Sequence, residues 1–116
     1  MKTHYITCLL WSSNNGDSPL DEFDTELSVS LDDKITKDCL EFEAIAIPIL
    51  ERYKQDSWTY DQLGHDFALT RNGHGTGFWD REEIYGEKCA KLLTLLSERF
   101  GEMDVYLGDD ERTLYA

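Results

Sequence analysis

The chain has 116 residues and carries 24 acidic against 11 basic side chains, a formal net charge of −13. That balance argues against direct nucleic-acid binding, in which lysine and arginine displace counterions from phosphates. Hydrophobic residues make up 41% and aromatic residues 12%, too many for a solvated disordered tail and enough for one modest core, so a single domain over residues 1–116 is expected.

No window approaches about 18 uninterrupted apolar residues, and no basic segment followed by an apolar run and a small-residue cleavage site opens the chain. A soluble, non-secreted protein with no membrane partner is expected. Cys8, Cys39 and Cys89 have no paired spacing and leave one unmatched, which suits a reducing compartment and packing as small apolar side chains.

Tyr5 to Trp11 reads as a short helix with Tyr5, Cys8 and Leu9 on one face, although Tyr5, Ile6 and Thr7 also have strand propensity. Ser12 to Ser18 is a polar loop, followed by Pro19 and the acids Asp21, Glu22, Asp24 and Glu26. A calcium loop would need oxygen ligands alternating around a central glycine and a terminal glutamate, and both are missing. Between Asp17 and Glu43 ten acids face two lysines. This third of the chain carries the acidic field.

Ser30 and Asp33 resemble a capping box, and Ile35, Cys39, Phe42, Ala46, Ile49 and Tyr53 recur at steps of three and four, predicting an amphipathic helix. Pro48 lacks a backbone donor, so a kink or restart is expected near 44–47. The outer face carries Asp32, Lys34, Asp38, Glu41 and Glu43. Ser57 to Gln62 reads as a brief helix stopped by Gly64.

The stretch from Gly64 to Arg81 concentrates special-purpose residues. Phe67 and Leu69 alternate with Asp66, Ala68 and Thr70 as in a strand, Asn72-Gly73 favours a turn, and Phe78-Trp79 supply a second apolar strand. A β-hairpin is expected here, with His74 at its tip and His65, Asp66, Asp80 and Arg81 at its base. Tyr85, Cys89, Leu92, Leu93, Leu96 and Phe100 then predict a second amphipathic helix ended by Gly101. Met103 to Leu107, a turn at Gly108-Asp109-Asp110 and Thr113 to Tyr115 predict a second hairpin. The expected fold is α+β, an antiparallel sheet of about four strands covered by amphipathic helices. Trp11, Trp58 and Trp79 read as core side chains or as anchors for a partner, with core favoured.

His65, Asp66, His74 and Asp80 could ligate a divalent metal, or supply a histidine base steadied by a carboxylate, with Arg71 as an anion contact. No helical His-x-x-x-His, no paired cysteines and no nearby third histidine completes such a site, since His4 is remote in sequence. Neither a metal nor a cofactor is assigned. The structural alternative has Asp66 and Asp80 holding Arg71 and Arg81, with the histidines bonded to loop carbonyls.

Gly64-His65-Asp66-Phe67, the run Leu69 to Gly75, and Gly77-Phe78-Trp79-Asp80-Arg81 resemble a family of small bacteriophage proteins of unassigned function. Leu10-Trp11-Ser12, Pro19-Leu20-Asp21, Asp38-Cys39, Phe100-Gly101-Glu102 and Leu107-Gly108-Asp109-Asp110 extend the resemblance over most of the chain. The family pattern usually has an aromatic residue at the position of Ala68 and a glycine at that of Glu111. The resemblance implies phage origin and action in the cytoplasm of an infected bacterium, and brings no catalytic residues with it.

The leading functional expectation is a non-enzymatic accessory protein that binds and modulates a host protein with a basic surface, as a DNA mimic. Asp17, Asp21, Glu22, Asp24, Glu26, Asp32, Asp38, Glu41 and Glu43 are the expected contact residues. The alternatives are a small hydrolytic or nucleotide-processing enzyme using His65, Asp66, Arg71, His74 and Asp80, and a phage structural or packaging component.

Overall fold

The periodicity around Ile35 and Phe42 belongs to the longest element of the computed structural model, which describes residues 1–15, 18–22 and 24–116, with backbone alone at 14 and 15. This helix, α2 (Val29–Arg52), starts at Ser28, whose hydroxyl accepts the Leu31 N–H at 3.1 Å, so it begins earlier than the Ser30 box predicts. Leu31, Ile35, Cys39, Phe42, Ala46 and Leu50 are its buried stripe. The helix continues through Pro48 without restarting. Pro48 and Ala44 are both exposed, so water can satisfy the carbonyl that Pro48 leaves without its donor.

Helix α1 (Lys2–Ser12) forms as the sequence predicts and buries Tyr5, Cys8 and Leu9. It runs parallel to α3 (Tyr60–Arg71), pairing Met1 with Gly64, Tyr5 with Phe67 and Trp11 with His74 along the two axes. A side chain at position 64 would collide with the Met1 carbonyl. Gly64 therefore permits close helix contact and does not stop a helix.

Helix α3 is the main correction to the sequence reading, because residues 66–70 form no strand and no hairpin joins them to 78–79. Its buried residues include Leu63, Asp66, Phe67, Ala68, Leu69, Thr70 and Arg71, on nearly every side. A helix enclosed all round shows no clean 3.6-residue stripe, and over five residues its pattern imitates strand alternation. Asn72-Gly73 does reverse the chain, but as a helix end. Gly73, at φ +63°, donates its N–H to the Thr70 carbonyl, and the His74 N–H reaches the Leu69 carbonyl. This is the paired bonding of a Schellman motif.

Beyond it, Phe78–Asp80 form a 3₁₀ turn, with the Phe78 N–H donated to Thr70 Oγ1 at 3.1 Å. The predicted second helix divides at Gly86 (φ +79°) into α4 (Glu82–Tyr85) and α5 (Glu87–Arg99). Phe42 stacks on Phe67 with ring centres 4.1 Å apart, and Tyr5, Phe78 and Phe100 extend this aromatic core. Trp11 and Trp79, read as core, are about half exposed. Cys8, Cys39 and Cys89 are buried free thiols, and burial pushes Cys8 and Cys39 up to about 12.

Among the described residues the strands are few and short. β1 (Asn14–Asn15) pairs with β2 (Ser18–Pro19), and β3 (Glu26–Leu27), β4 (Tyr106–Leu107) and β5 (Thr113–Tyr115) form a sheet in the order β3-β5-β4. Only the second predicted hairpin exists, with Leu107 opposite Leu114 in the antiparallel β4–β5 pair, while β3 joins β5 in parallel. The fold mixes helix and strand, but its main sheet has three strands in mixed orientation in place of four antiparallel ones.

Asp110 holds the β4–β5 turn. Its carboxylate accepts the Arg112 and Thr113 N–H groups at 3.0 and 2.9 Å and the Thr113 hydroxyl at 2.6 Å. The Thr113 hydroxyl first, then the two N–H groups, hold this carboxyl down at about 2. A folded-state value below the unfolded one stabilises the turn above the ordinary carboxylate range, and this is lost as pH falls through about 2. An NMR pH titration should find Asp110 ionising near 2, and Asp110→Asn should abolish the acid-linked shift of the Thr113 amide.

Candidate functional site

Asp66 and Arg71 lie five residues apart on α3, about 140° around the helix, and so serve different surroundings. Asp66 is completely buried. Gln62 Nε2, one turn earlier, donates to its Oδ2 at 2.8 Å, as does the Tyr85 hydroxyl at 2.7 Å. Arg81 Nε donates to Oδ1 at 2.7 Å, and His65 Nδ1 lies 3.3 Å from the same oxygen. Burial of this carboxylate is thus compensated by a guanidinium and neutral donors. Burial raises the Tyr85 hydroxyl far above its ordinary value, and the Asp66 anion adds to this, so Tyr85 remains a donor. Burial works to lower Arg81, but Asp66 outweighs it and keeps the guanidinium charged.

Arg71 is also buried, and its guanidinium lies over the rings of Phe67 and Phe100 at 5.4 and 5.7 Å. Its Nε donates to the Gly101 carbonyl at 2.8 Å and Nη2 to that of Phe100 at 3.1 Å. These carbonyls close the C-terminal end of α5, where a cation is favoured. Nη1 reaches Asp38 Oδ2 at 2.8 Å and the Tyr5 hydroxyl at 3.1 Å. Burial pushes that hydroxyl up to about 12 despite the opposing pull of Arg71. Arg71 joins α1, α2, α3 and the end of α5, and its partner is Asp38, neither Asp66 nor Asp80.

The remaining candidates are elsewhere. Asp80 Oδ1 accepts the Gly77 N–H at 3.0 Å and closes its own turn. His74 is exposed in the loop after α3, its ring 5.8 Å from that of Trp11. Of the five candidate catalytic residues, only His65 and Asp66 meet.

The residues that gather around this pair are mostly ones the sequence did not favour. Parallel packing of α1 on α3 brings His4 beside His65, although they are far apart in the chain. His4, Thr59, Asp61, Gln62, His65 and Arg81 line a groove of about 260 Å³. His4 and His65 also border an adjoining hollow of about 170 Å³, walled by Thr7, Cys8, Trp11 and Asp21. His4 Nδ1 lies 3.1 Å from Asp61 Oδ1. Gln62 and Asp66 share a helix face at a spacing of four, a signal hidden once 66–70 is read as a strand. Among the described residues, no three His, Cys, Asp or Glu side chains are grouped to hold a metal.

The acids expected to contact a partner divide by environment. Asp38 belongs to Arg71, Asp32 pairs with Lys2 at 2.8 Å, Glu26 with Arg112 at 3.3 Å, and Glu41 lies 3.9 Å from Lys37. Asp21, Glu22 and Asp24 are exposed and Glu43 is half-buried, with no ion pair to any of them among the described residues. Asp17 lies outside the described residues. On α2, Asp32 and Glu43 share one side, and Asp38 and Glu41 lie on another, so these acids do not form a single row. Among the described residues no helix is long and apolar enough to cross a membrane. No family model, curated protein or solved structure matches this chain.

Proposed function

We propose that this is a bacteriophage accessory protein that binds a basic surface on a host protein in the infected cell and competes there with nucleic acid. The observation that carries the reading is the acidic segment at the α1–α2 end, where Asp21, Glu22 and Asp24 are exposed without ion pairs among the described residues, on a chain of net charge −13. Such a surface steers association with a cationic partner over long range and repels phosphate backbones. The reading also draws support from the engagement of Asp66 and Arg71 in internal bonds, which leaves the expected catalytic set dispersed.

The test uses Asp21→Asn/Glu22→Gln/Asp24→Asn beside the wild type, each immobilised and exposed to host lysate with and without competing duplex DNA. The wild type is expected to retain a DNA-binding protein that duplex DNA displaces. The triple variant should retain at least tenfold less, and the difference should shrink as rising salt screens charges beyond about 8 Å. Its urea midpoint should match the wild type, because exposed charges contribute little to folding. A retained partner that ignores both DNA and the substitutions would overturn the proposal.

A further inference from the structure

The Gly64–Arg81 stretch suggests an anion contact at Arg71, but that guanidinium is buried and its Nε, Nη1 and Nη2 all donate to protein oxygens. Arg81 offers what Arg71 cannot. Among the described residues only its Nε is engaged, on Asp66 Oδ1 at 2.7 Å, and its side chain is 26% exposed at the groove wall. Nη1 and Nη2, the fork that matches a planar oxyanion, have no hydrogen-bond partner among the described residues.

The fork is held in place from behind. Asp66 is itself fixed by Gln62 and Tyr85, so the guanidinium has little freedom left to lose when it takes a ligand. His65 turns Nδ1 toward Asp66 and His4 turns Nδ1 toward Asp61, leaving each Nε2 without a partner among the described residues, and both side chains line the groove. The adjoining hollow has an apolar wall in Trp11 and Cys8. We propose that Arg81, with His65 and His4 as imidazolium ions donating from Nε2, forms a binding site for a small organic oxyanion, a carboxylate or phosphate monoester, whose apolar part rests against Trp11. Asp61 and Asp21, in the walls of the groove and hollow, oppose such a ligand and set its affinity low.

The experiment is a ¹⁵N NMR titration of the full chain with phenyl phosphate, benzoate and inorganic phosphate, against sodium chloride at matched ionic strength. Saturable shifts at His4, His65 and Arg81 Nε are expected with at least one organic anion and not with chloride. Comparing phenyl phosphate with benzoate tells which oxyanion is preferred. Phenyl phosphate should bind more tightly than inorganic phosphate, and Trp11→Ala should erase that difference.

Arg81→Lys keeps the charge but removes the fork, and should weaken binding about tenfold or more. Asp21→Asn removes an exposed opposing charge that holds none of the binding groups, and should strengthen binding severalfold. If Arg81→Lys fails to fold, Asp21→Asn and His65→Gln decide the matter, with tighter and weaker binding expected respectively. Shifts no different from chloride, equal affinity in a folded Arg81→Lys variant, or no change in Asp21→Asn would each overturn the site.

Discussion

Asp66→Asn is expected to destabilise the protein by about 3–5 kcal/mol, the range found when a buried ion pair loses one member. The side chain is fully buried and takes bonds from Gln62, Arg81 and Tyr85, with His65 at 3.3 Å. Asparagine keeps the shape but replaces one acceptor oxygen with a donor, so the new amide must face the Arg81 Nε–H on the Oδ1 side or the Gln62 amide and Tyr85 hydroxyl on the Oδ2 side. Charge is lost as well, leaving the Arg81 guanidinium uncompensated. Against a typical folding stability of about 5–15 kcal/mol this is a large fraction, read as a fall in urea midpoint. Asp66→Asn/Arg81→Met should recover part of the loss, because no unpaired guanidinium remains.

Arg71→Met should cost about 3 kcal/mol or more for a related but separate reason. Methionine can fill the space between Phe67 and Phe100, so packing is largely kept. The bonds are not. The carbonyls of Phe100 and Gly101 lose the donors that close α5, and Asp38, only 13% exposed at its side chain, keeps a charge with no cation on it. Asp38→Asn alone should cost less, about 1–2 kcal/mol, and the double variant should fall short of the sum. Lysine at 71 should not restore the wild-type midpoint, since one ammonium cannot reach two carbonyls and a carboxylate with the geometry of a fork. Urea denaturation of the four variants beside the wild type checks each step.

The elements that were legible in the sequence are those with one buried face. α2 showed its stripe because Ile35, Cys39, Phe42 and Ala46 face the core while Leu40 and Ile45 stay exposed. The β4–β5 turn was legible from Gly108-Asp109-Asp110, since its chemistry is local. α3 was not, because a helix buried on nearly all sides has no polar face to give it a period. Gly64 deepened the error: its lack of a side chain serves an approach by Met1 from 63 positions away in the sequence, which no local pattern records. The site suffered similarly. Arg81 and Asp66 were both marked as special and their pairing was among the expectations, but Tyr85, Gln62 and His4 join them only through tertiary packing. Parallel β3–β5 pairing, which joins Glu26 and Leu27 to the distant Thr113 and Leu114, was equally invisible.

The division of labour between an internal polar framework and an acidic binding surface is tested most directly by measuring partner affinity, corrected for folded fraction, across the same variants. Asp66→Asn and Arg71→Met are expected to have lower urea midpoints but wild-type affinity per folded molecule. Asp21→Asn/Glu22→Gln/Asp24→Asn should keep the wild-type midpoint and lose at least tenfold in affinity. Undiminished binding by the triple variant, or an Asp66→Asn protein that folds as stably as wild type yet no longer binds, would contradict that division and return the function to the Gly64–Arg81 stretch.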